Sequence, residues 1–445
     1  MPSSWFRRVR SDGSTFLSFG GTEMDELLDH VTNSEAAEAV RANRRRVAAL
    51  MNRGVRILCP ETIELAEDVE LDRIHPSAVI HAGARIAGKR TAIGAGAEIG
   101  REGPVRLNDS VIGANVFLDG GTFERATLLR HAGARSWAHF REGTLLEEYA
   151  SVAHCVGLKQ TILFPYVTLG SLINFCDCLM AGGRGSRDHS EVGSGYIHFN
   201  FSPRGDKATP SLFGDVARGV FVDQSRIFLG GLAASVGPIQ VGYGSFLGPG
   251  SVYRRDVRDG RFQLSERPIR MQLDFDPEIQ SGVRAKFKRN MRYIGELVAL
   301  WNWYRHARRL ICSGERGIEI EAGREAIEWG IDERIRQFER FVGLLPRSID
   351  RLRETGGSPR LIDEQRRMVE RWEDIEDALS GWPSITGDES ERDRFLKGVG
   401  SWVSTGYLET LSVLPEDVRE RGRRWLSSLV HGVEKLAETR WAPPA

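Results

Sequence analysis

The chain has 445 residues, and its 61 Lys and Arg are balanced by 61 Asp and Glu, so the formal charge at neutral pH is zero. No global field then favours nucleic acid or an anionic membrane, and any anionic ligand has to be held by a local site. The length exceeds that of one ordinary domain and predicts two or three.

The opening "MPSSWFRRVRSDGS" has no apolar run of signal-peptide length, and nowhere do about eighteen uncharged apolar residues follow one another. The expectation is a cytoplasmic protein with no membrane segment. Five cysteines, Cys59, Cys155, Cys176, Cys178 and Cys312, are odd in number and scattered, which suits reduced thiols better than a disulfide framework.

Residues 1 to 21 carry no strong pattern and read as loosely docked. From Thr22 to Gly54, helix formers with apolar residues at Val40, Val47, Leu50 and Met51 predict one or two helices closed by a C-cap glycine. From about Val55 to Val257 the period becomes six. Aliphatic residues recur at Ile74, Ile80 and Ile86, at Ile93, Ile99 and Val105, and at Ile112 and Leu118; later sets are Leu146, Val152, Leu158 and Phe164, then Val241 and Leu247. Small residues fill the intervals, as in "IGAGAEIG" and "VGYGSFLGPGSV". This spacing predicts a left-handed parallel β-helix of hexapeptide repeats, in which three short strands make one triangular coil, aliphatic residues point inward and small residues fit the corners. A β-sandwich with frequent turns is the alternative, but two-residue hairpin signals are few. Ile80, Ile93, Ile99, Val152, Leu158 and Leu247 are the expected inward set.

Beyond a linker at Gly260 to Ser281, Met291, Ile294, Leu297, Val298, Trp301 and Tyr304 fall at helical spacing, and similar patterns follow at 321–345, 359–381, 389–412 and 415–440. Four or five bundled helices are expected, with Trp301 and Trp303 as core. The fold class is thus mainly β with α: a helical arm over 1–54, the β-helix over 55–260, and a linker and helical bundle over 261–445.

The segment "ANRRRVAALMNRGVRILCPETIELAEDVELDRIHPSAVIHAGARIAG", with "REGTLLEEYASVAHCVGLKQT", "EVGSGYIHFNF" and "FVDQSRIFLGGLAASVGPIQVGYGSFLGPGSVYRRDV", resembles the acetyltransferase half of the bacterial N-acetylglucosamine-1-phosphate uridyltransferases/acetyltransferases, the UDP-N-acetylglucosamine pyrophosphorylase family. The resemblance covers roughly residues 36 to 257 and leaves the bundle without a counterpart. It implies a homotrimer with sites between neighbouring β-helices, acetyl-CoA or another acyl-CoA as donor, and a sugar phosphate or sugar nucleotide as acceptor. The first twenty residues have no glycine-rich loop followed by Arg and Lys, so nucleotidyltransferase activity is not expected of this chain.

Residue by residue, the resemblance implies a phosphate- or sugar-contacting role for Lys159, an "NYDG"-like loop position for Asn200, and a neighbouring cation at Lys207. Four positions depart from it. Ser171 stands where the family has its catalytic His, Asn174 where a substrate-binding Tyr is expected, Glu191 where an Asn is expected, and His139 about where an Arg should be. A serine hydroxyl is no base at neutral pH unless another group activates it.

The period breaks at "AGGRGSRDHSEVG" and again at "IHFNFSPRGDKATPSLFGD", where Arg184, Arg187, Asp188 and His189 fall in the first insertion. Long loops on a rigid scaffold carry function more often than short ones. His189, and less so His198, are candidates to replace the missing base, since an imidazole titrates near neutrality. His75, His81, His131, His139 and His154 populate the solenoid without a convergent zinc-binding phase, so no metal is expected. Two readings remain. One is an acyltransferase with His189 and Asn200 catalytic and Lys159, Lys207, Asn174, Glu191 and Arg187 binding substrate. The other is a non-catalytic sugar-nucleotide-binding scaffold or sensor of the same fold, with the bundle as a surface for a protein partner.

Overall fold

The computed structural model describes residues 8–9, 15–16, 35–265, 272, 274–312, 317–403 and 406–441. Much of the helical pattern expected before Glu35 lies outside them; helix α1 spans Glu35–Asn52, and Gly54 follows it at φ +106°. Arg8–Val9 pairs antiparallel with Thr15–Phe16.

From Arg56 to Gln263 the backbone winds as a parallel β-solenoid whose coils are triangular. The first face is an eleven-strand ladder running from Arg56–Ile57 to Phe262–Gln263. The second runs from Glu64–Leu65 to Val252–Tyr253, and the third from Ala92–Ile93 to Gln240–Val241. Two longer strands, Gly157–Leu163 and Asn174–Met180, turn the corner between second and third faces at Gln160 and Asp177, both at positive φ. Because the pairing is parallel and in register, identical positions stack about 4.8 Å apart.

Inward columns follow from this register. On the first face Ile57, Ile80, Ile99, Leu118, Ala134, Val152, Leu169, Val192, Leu229 and Leu247 stack. All are buried, and so are Ile93 and Leu158. On the second face Leu107, two residues past the expected Val105, continues the column of Ile86. That column then passes through Phe123, Phe140, Leu158 and Phe175 before turning polar at His198, Ser235 and Tyr253. His198 is buried with its Nε2 2.7 Å from Ser211 Oγ, and burial pushes the imidazole down to about 4.

The third face is apolar on both sides. Leu128, Leu146, Leu163, Met180 and Phe213 point inward, while the outward row Thr127, Leu145, Ile162, Leu179 and Leu212 is buried as well. Helices cover it. A one-turn helix α2, Val216–Gly219, leaves the solenoid; α3 is Val283–Trp303, continuing through a π turn over Tyr304–Arg308; α4 is Gly317–Gly343, α5 Leu345–Glu354, α6 Pro359–Ser380, α7 Glu389–Gly400, α8 Tyr407–Val413 and α9 Glu416–Trp441. The bundle holds more helices than the periodicity suggested, because α5 begins afresh at Leu345-Pro346 and the 389–412 pattern divides into α7 and α8. Trp303 is fully buried and donates through Nε1 to Tyr407 Oη at 2.9 Å.

The bundle is fixed by a buried ion cluster. Arg308, with no exposed surface, donates from Nη1 and Nη2 to the two Glu148 oxygens at 2.7 and 3.0 Å and reaches Glu147 at 2.9 Å. Tyr304 Oη donates to Glu147 at 2.6 Å, and the guanidinium lies 3.9 Å from the Tyr407 ring centroid. Burial pushes Glu147 up to about 7, against the pull of Arg308. Close approach matters too: Gly143 sits at φ +75°, and a Cβ there would lie 2.4 Å from the Trp329 ring of α4.

Two outcomes are expected. Arg308→Met strands the carboxylates in the interior and should cost about 3–5 kcal/mol in urea unfolding. Adding Glu147→Gln and Glu148→Gln to that variant should recover part of the loss. Separately, the neutral His198 of the folded state takes its proton at about pH 4, whereas the unfolded imidazole takes it near 6.5. Its contribution is therefore present above 6.5 and lost as pH falls towards 4, on the order of 3 kcal/mol, and His198→Gln should flatten that window in pH-dependent unfolding.

Candidate functional site

The solenoid's corners decide where side chains project. Between first and second faces the corner residues Trp137, Cys155, Leu172 and Leu232 take positive φ and stack on successive or near-successive coils. Beside them, on the outer surface of the second face, one row carries His139, Gly157, Asn174 and Ile197, as the pairing of their strands dictates. A second row, nearer the third face, carries Arg141, Lys159 and Cys176: Arg141 N donates to Leu158 O at 2.9 Å, and Lys159 lies opposite Cys176.

These two rows make a basic, partly exposed patch. Arg141 Nη2 lies 3.7 Å from Cys176 Sγ, whose own donor reaches Asn174 Oδ1 at 3.6 Å. Burial pushes the Cys176 thiol up; Arg141 and Lys159 pull it the other way. The arginine of this patch is Arg141, two residues beyond His139. Its signal was available in the alternation, since Arg141 shares the outward phase of Lys159 one coil later.

Ser171 lies at the first corner, just before Asn174 on the same coil. Its Oγ is 2.9 Å from Nδ1 of His154, which occupies the equivalent corner position of the preceding coil. The backbone N of Leu172 donates to His154 O at 3.1 Å, and Ser171 N donates to Ser194 Oγ at 3.1 Å.

The two breaks of period emerge at different corners. The first is a hairpin, Gly183–Gly185 against Asp188–His189, at the corner between third and first faces. His189 Nδ1 is 2.9 Å from Ser186 O, Arg184 donates to Asp223 O and Ser225 Oγ, and Arg187 and Glu191 are exposed beside them. The second break, 200–210, leaves the far end of the second face. Asn200 Nδ2 donates there to the Asp177 carboxylate, which pairs with Arg334 of α4 at 3.1 Å; Arg334 in turn donates to Gln160 Oε1 at 3.0 Å. Asp206 pairs with Lys286 of α3, and Lys207 is exposed at φ +38°. Within one chain, then, Lys159, Asn174, Asn200 and Lys207 lie along the second face and its edges, while His189, Arg187 and Glu191 stand at the third corner.

No group of three His, Cys, Asp or Glu side chains among the described residues is arranged to hold a metal ion, and no helix among them is long and apolar enough to cross a membrane.

No family model matches the chain. Among curated proteins it is similar to the Bifunctional protein GlmU of Thermus thermophilus, 32% identical over 259 residues, 58% of this chain and 51% of that protein. The protein of the same name from Pelobacter propionicus is 28% identical over 258 residues, again 58% and 51% of the two chains. That of Syntrophomonas wolfei is 26% identical over 245 residues, 54% and 48%. The chain spans about half the length of these relatives. With its parallel β-solenoid, it is similar to the acetyltransferase, hexapeptide-repeat half of the N-acetylglucosamine-1-phosphate uridyltransferase/acetyltransferase family.

Proposed function

We propose that the protein is an acyltransferase of the hexapeptide-repeat type that transfers an acetyl or other acyl group from coenzyme A to an amino-sugar phosphate or sugar nucleotide. The observation that carries this reading is the outward patch of Arg141 and Lys159 beside Asn174 on the second face, on a solenoid similar to the relatives named above. Two cations on adjacent coils suit a phosphate, because each oxygen can take a charge-assisted hydrogen bond from a side chain held by rigid strands. Asn174, in the next row, faces the rest of the sugar in this reading.

The same reading needs a trimer. The helices occupy the third face, so self-association is left to the first and second faces and the corner between them. That corner exposes Trp137, Leu172 and Leu232 at 72%, 61% and 82% of their surface, and Phe199 of the second face and Phe201 of the strap that leaves it add 44% and 66%. A run of apolar side chains of this size on a soluble surface favours a partner. A neighbouring prism would cover it, and would also bring the hairpin of Arg187, His189 and Glu191 from one chain towards the second face of the next. Asn200, hydrogen-bonded to Asp177, would then hold the edge of the site against the bundle. A non-catalytic sugar-nucleotide-binding scaffold is the second reading, favoured by Ser171 at the family's histidine position.

Sedimentation is expected to give about three times the 49.7 kDa chain mass, and Leu172→Glu with Leu232→Glu should release monomers. By calorimetry with glucosamine 1-phosphate, Lys159→Ala or Arg141→Ala should each weaken binding by about 1.5–3 kcal/mol, and Lys207→Ala by a similar amount if the 200–210 strap reaches the same phosphate. Parental affinity in both Lys159→Ala and Arg141→Ala rejects the phosphate assignment. Binding without acetyl transfer from acetyl-CoA selects the scaffold reading.

A further inference from the structure

Acyl transfer to an amine needs a proton acceptor, and the described histidines differ in their fitness for it. His198 is in the solenoid core against Ser211, where no substrate reaches. His189 has its Nδ1 on the Ser186 carbonyl in a hairpin at the third corner, away from Lys159 and Asn174 in the same chain. His154 is different. It is exposed at the first corner, which adjoins the row of Asn174, and its Nδ1 meets Ser171 Oγ at 2.9 Å.

The backbone keeps that pair in register. Ser151–Val152 pairs with Thr168–Leu169 before the corner, Gly157–Leu158 with Asn174–Phe175 after it, and Leu172 N bonds His154 O between them. Ser171 is held from the other side by the bond of its N to Ser194 Oγ. A hydroxyl at Nδ1 matters chemically because it can take either role: in the tautomer in which Ser171 Oγ accepts the Nδ1 proton, the Nε2 lone pair is left free to act as a base.

We propose that His154 is the base of the second-face site and that Ser171 is its positioning residue, so that the proton acceptor has moved one coil along the corner from the position Ser171 now fills. The proposal rests on the acyltransfer reading above. The amine nitrogen of the acceptor attacks the thioester carbonyl carbon of acetyl-CoA, forming the N–C bond as the C–S bond breaks. The proton lost by nitrogen goes to His154 Nε2 and from there to the departing thiolate, giving the amide and the free thiol of coenzyme A.

Steady-state acetyl transfer from acetyl-CoA to glucosamine 1-phosphate tests it, with long-range proton–nitrogen spectra of the imidazoles as a second readout. His154→Gln is expected to lower kcat by about a hundredfold or more while KM changes little, the usual scale of general-base loss. Ser171→Ala should lower kcat by about tenfold and shift the His154 tautomer population away from the form with a free Nε2 lone pair, and Ser171→Thr should restore both. Both residues are on the surface of a corner, so the core columns are untouched by these changes. Parental kcat in His154→Gln, or an unchanged His154 tautomer in Ser171→Ala, overturns the pair while leaving the acyltransfer reading standing. Loss of turnover in His189→Gln with parental turnover in His154→Gln moves the base to the hairpin. Absence of transfer in the parent protein overturns the acyltransfer reading and the base with it.

Discussion

A guanidinium with no access to water sets the arrangement of this molecule. Taking Arg308, Glu147 and Glu148 out of solvent costs several kcal/mol per ion, and the bidentate Arg308–Glu148 pair with the Tyr304 hydroxyl on Glu147 offsets that cost only when helix and solenoid meet in one geometry. The cluster therefore specifies position more than it adds stability. Around it, the outward Thr127, Leu145, Ile162, Leu179 and Leu212 row supplies apolar burial that tolerates sliding along the face, and the ions supply the registry that burial lacks.

Covering the third face has consequences for the other two. A bare triangular prism can associate through any side, but here, among the described residues, the first and second faces and their common corner stay open while helices cover the third. The basic patch of Arg141 and Lys159, the Ser171–His154 contact and the exposed Trp137, Leu172 and Leu232 all belong to that open region. A second tie runs from α4 through Arg334 to Asp177, Gln160 and Asn200, so the edge of the second face is braced by the bundle that closes the third. The strap 200–210 has the same double attachment, to the solenoid at Asn200 and to α3 through Asp206 and Lys286. Its Asp206 is thus spent on joining two layers of the fold while Lys207 stays exposed, and the long interruption of the repeat is in part a docking segment.

The distribution of polar groups inside the solenoid shows how far a repeat can vary while its geometry holds. The second-face column passes from Ile86 and Leu107 through three phenylalanines to His198, Ser235 and Tyr253. His198 is accommodated because Ser211, just past a corner, presents its hydroxyl at the same height. Thr161 uses its hydroxyl likewise, donating to Phe175 O at 3.1 Å. A coil can then exchange an aliphatic residue for a polar one whose hydrogen bond is made inside the prism.

The six-residue spacing within the sets Ile74, Ile80, Ile86 and Ile93, Ile99 was enough, by itself, to determine a three-sided coil with these residues inside, because any other phase buries Arg85 or Glu98. Lys159 and Asn174 on an outer face were legible for the same reason, since alternation within a strand is local. The apolar doublets Leu145-Leu146, Ile162-Leu163 and Leu179-Met180 were also present in the sequence and mark a face buried on both sides, but alternation alone does not say what covers it. What only the tertiary structure decided were contacts between residues far apart in the chain: Arg308 with Glu148, Arg334 with Asp177, and the separation of His189 from Asn200 onto different corners. The meeting of Ser171 with His154 was decided there too. Seventeen residues separate them, an interval set by the length of one coil, and the parallel in-register pairing on either side of the corner is what brings equivalent positions of successive coils together.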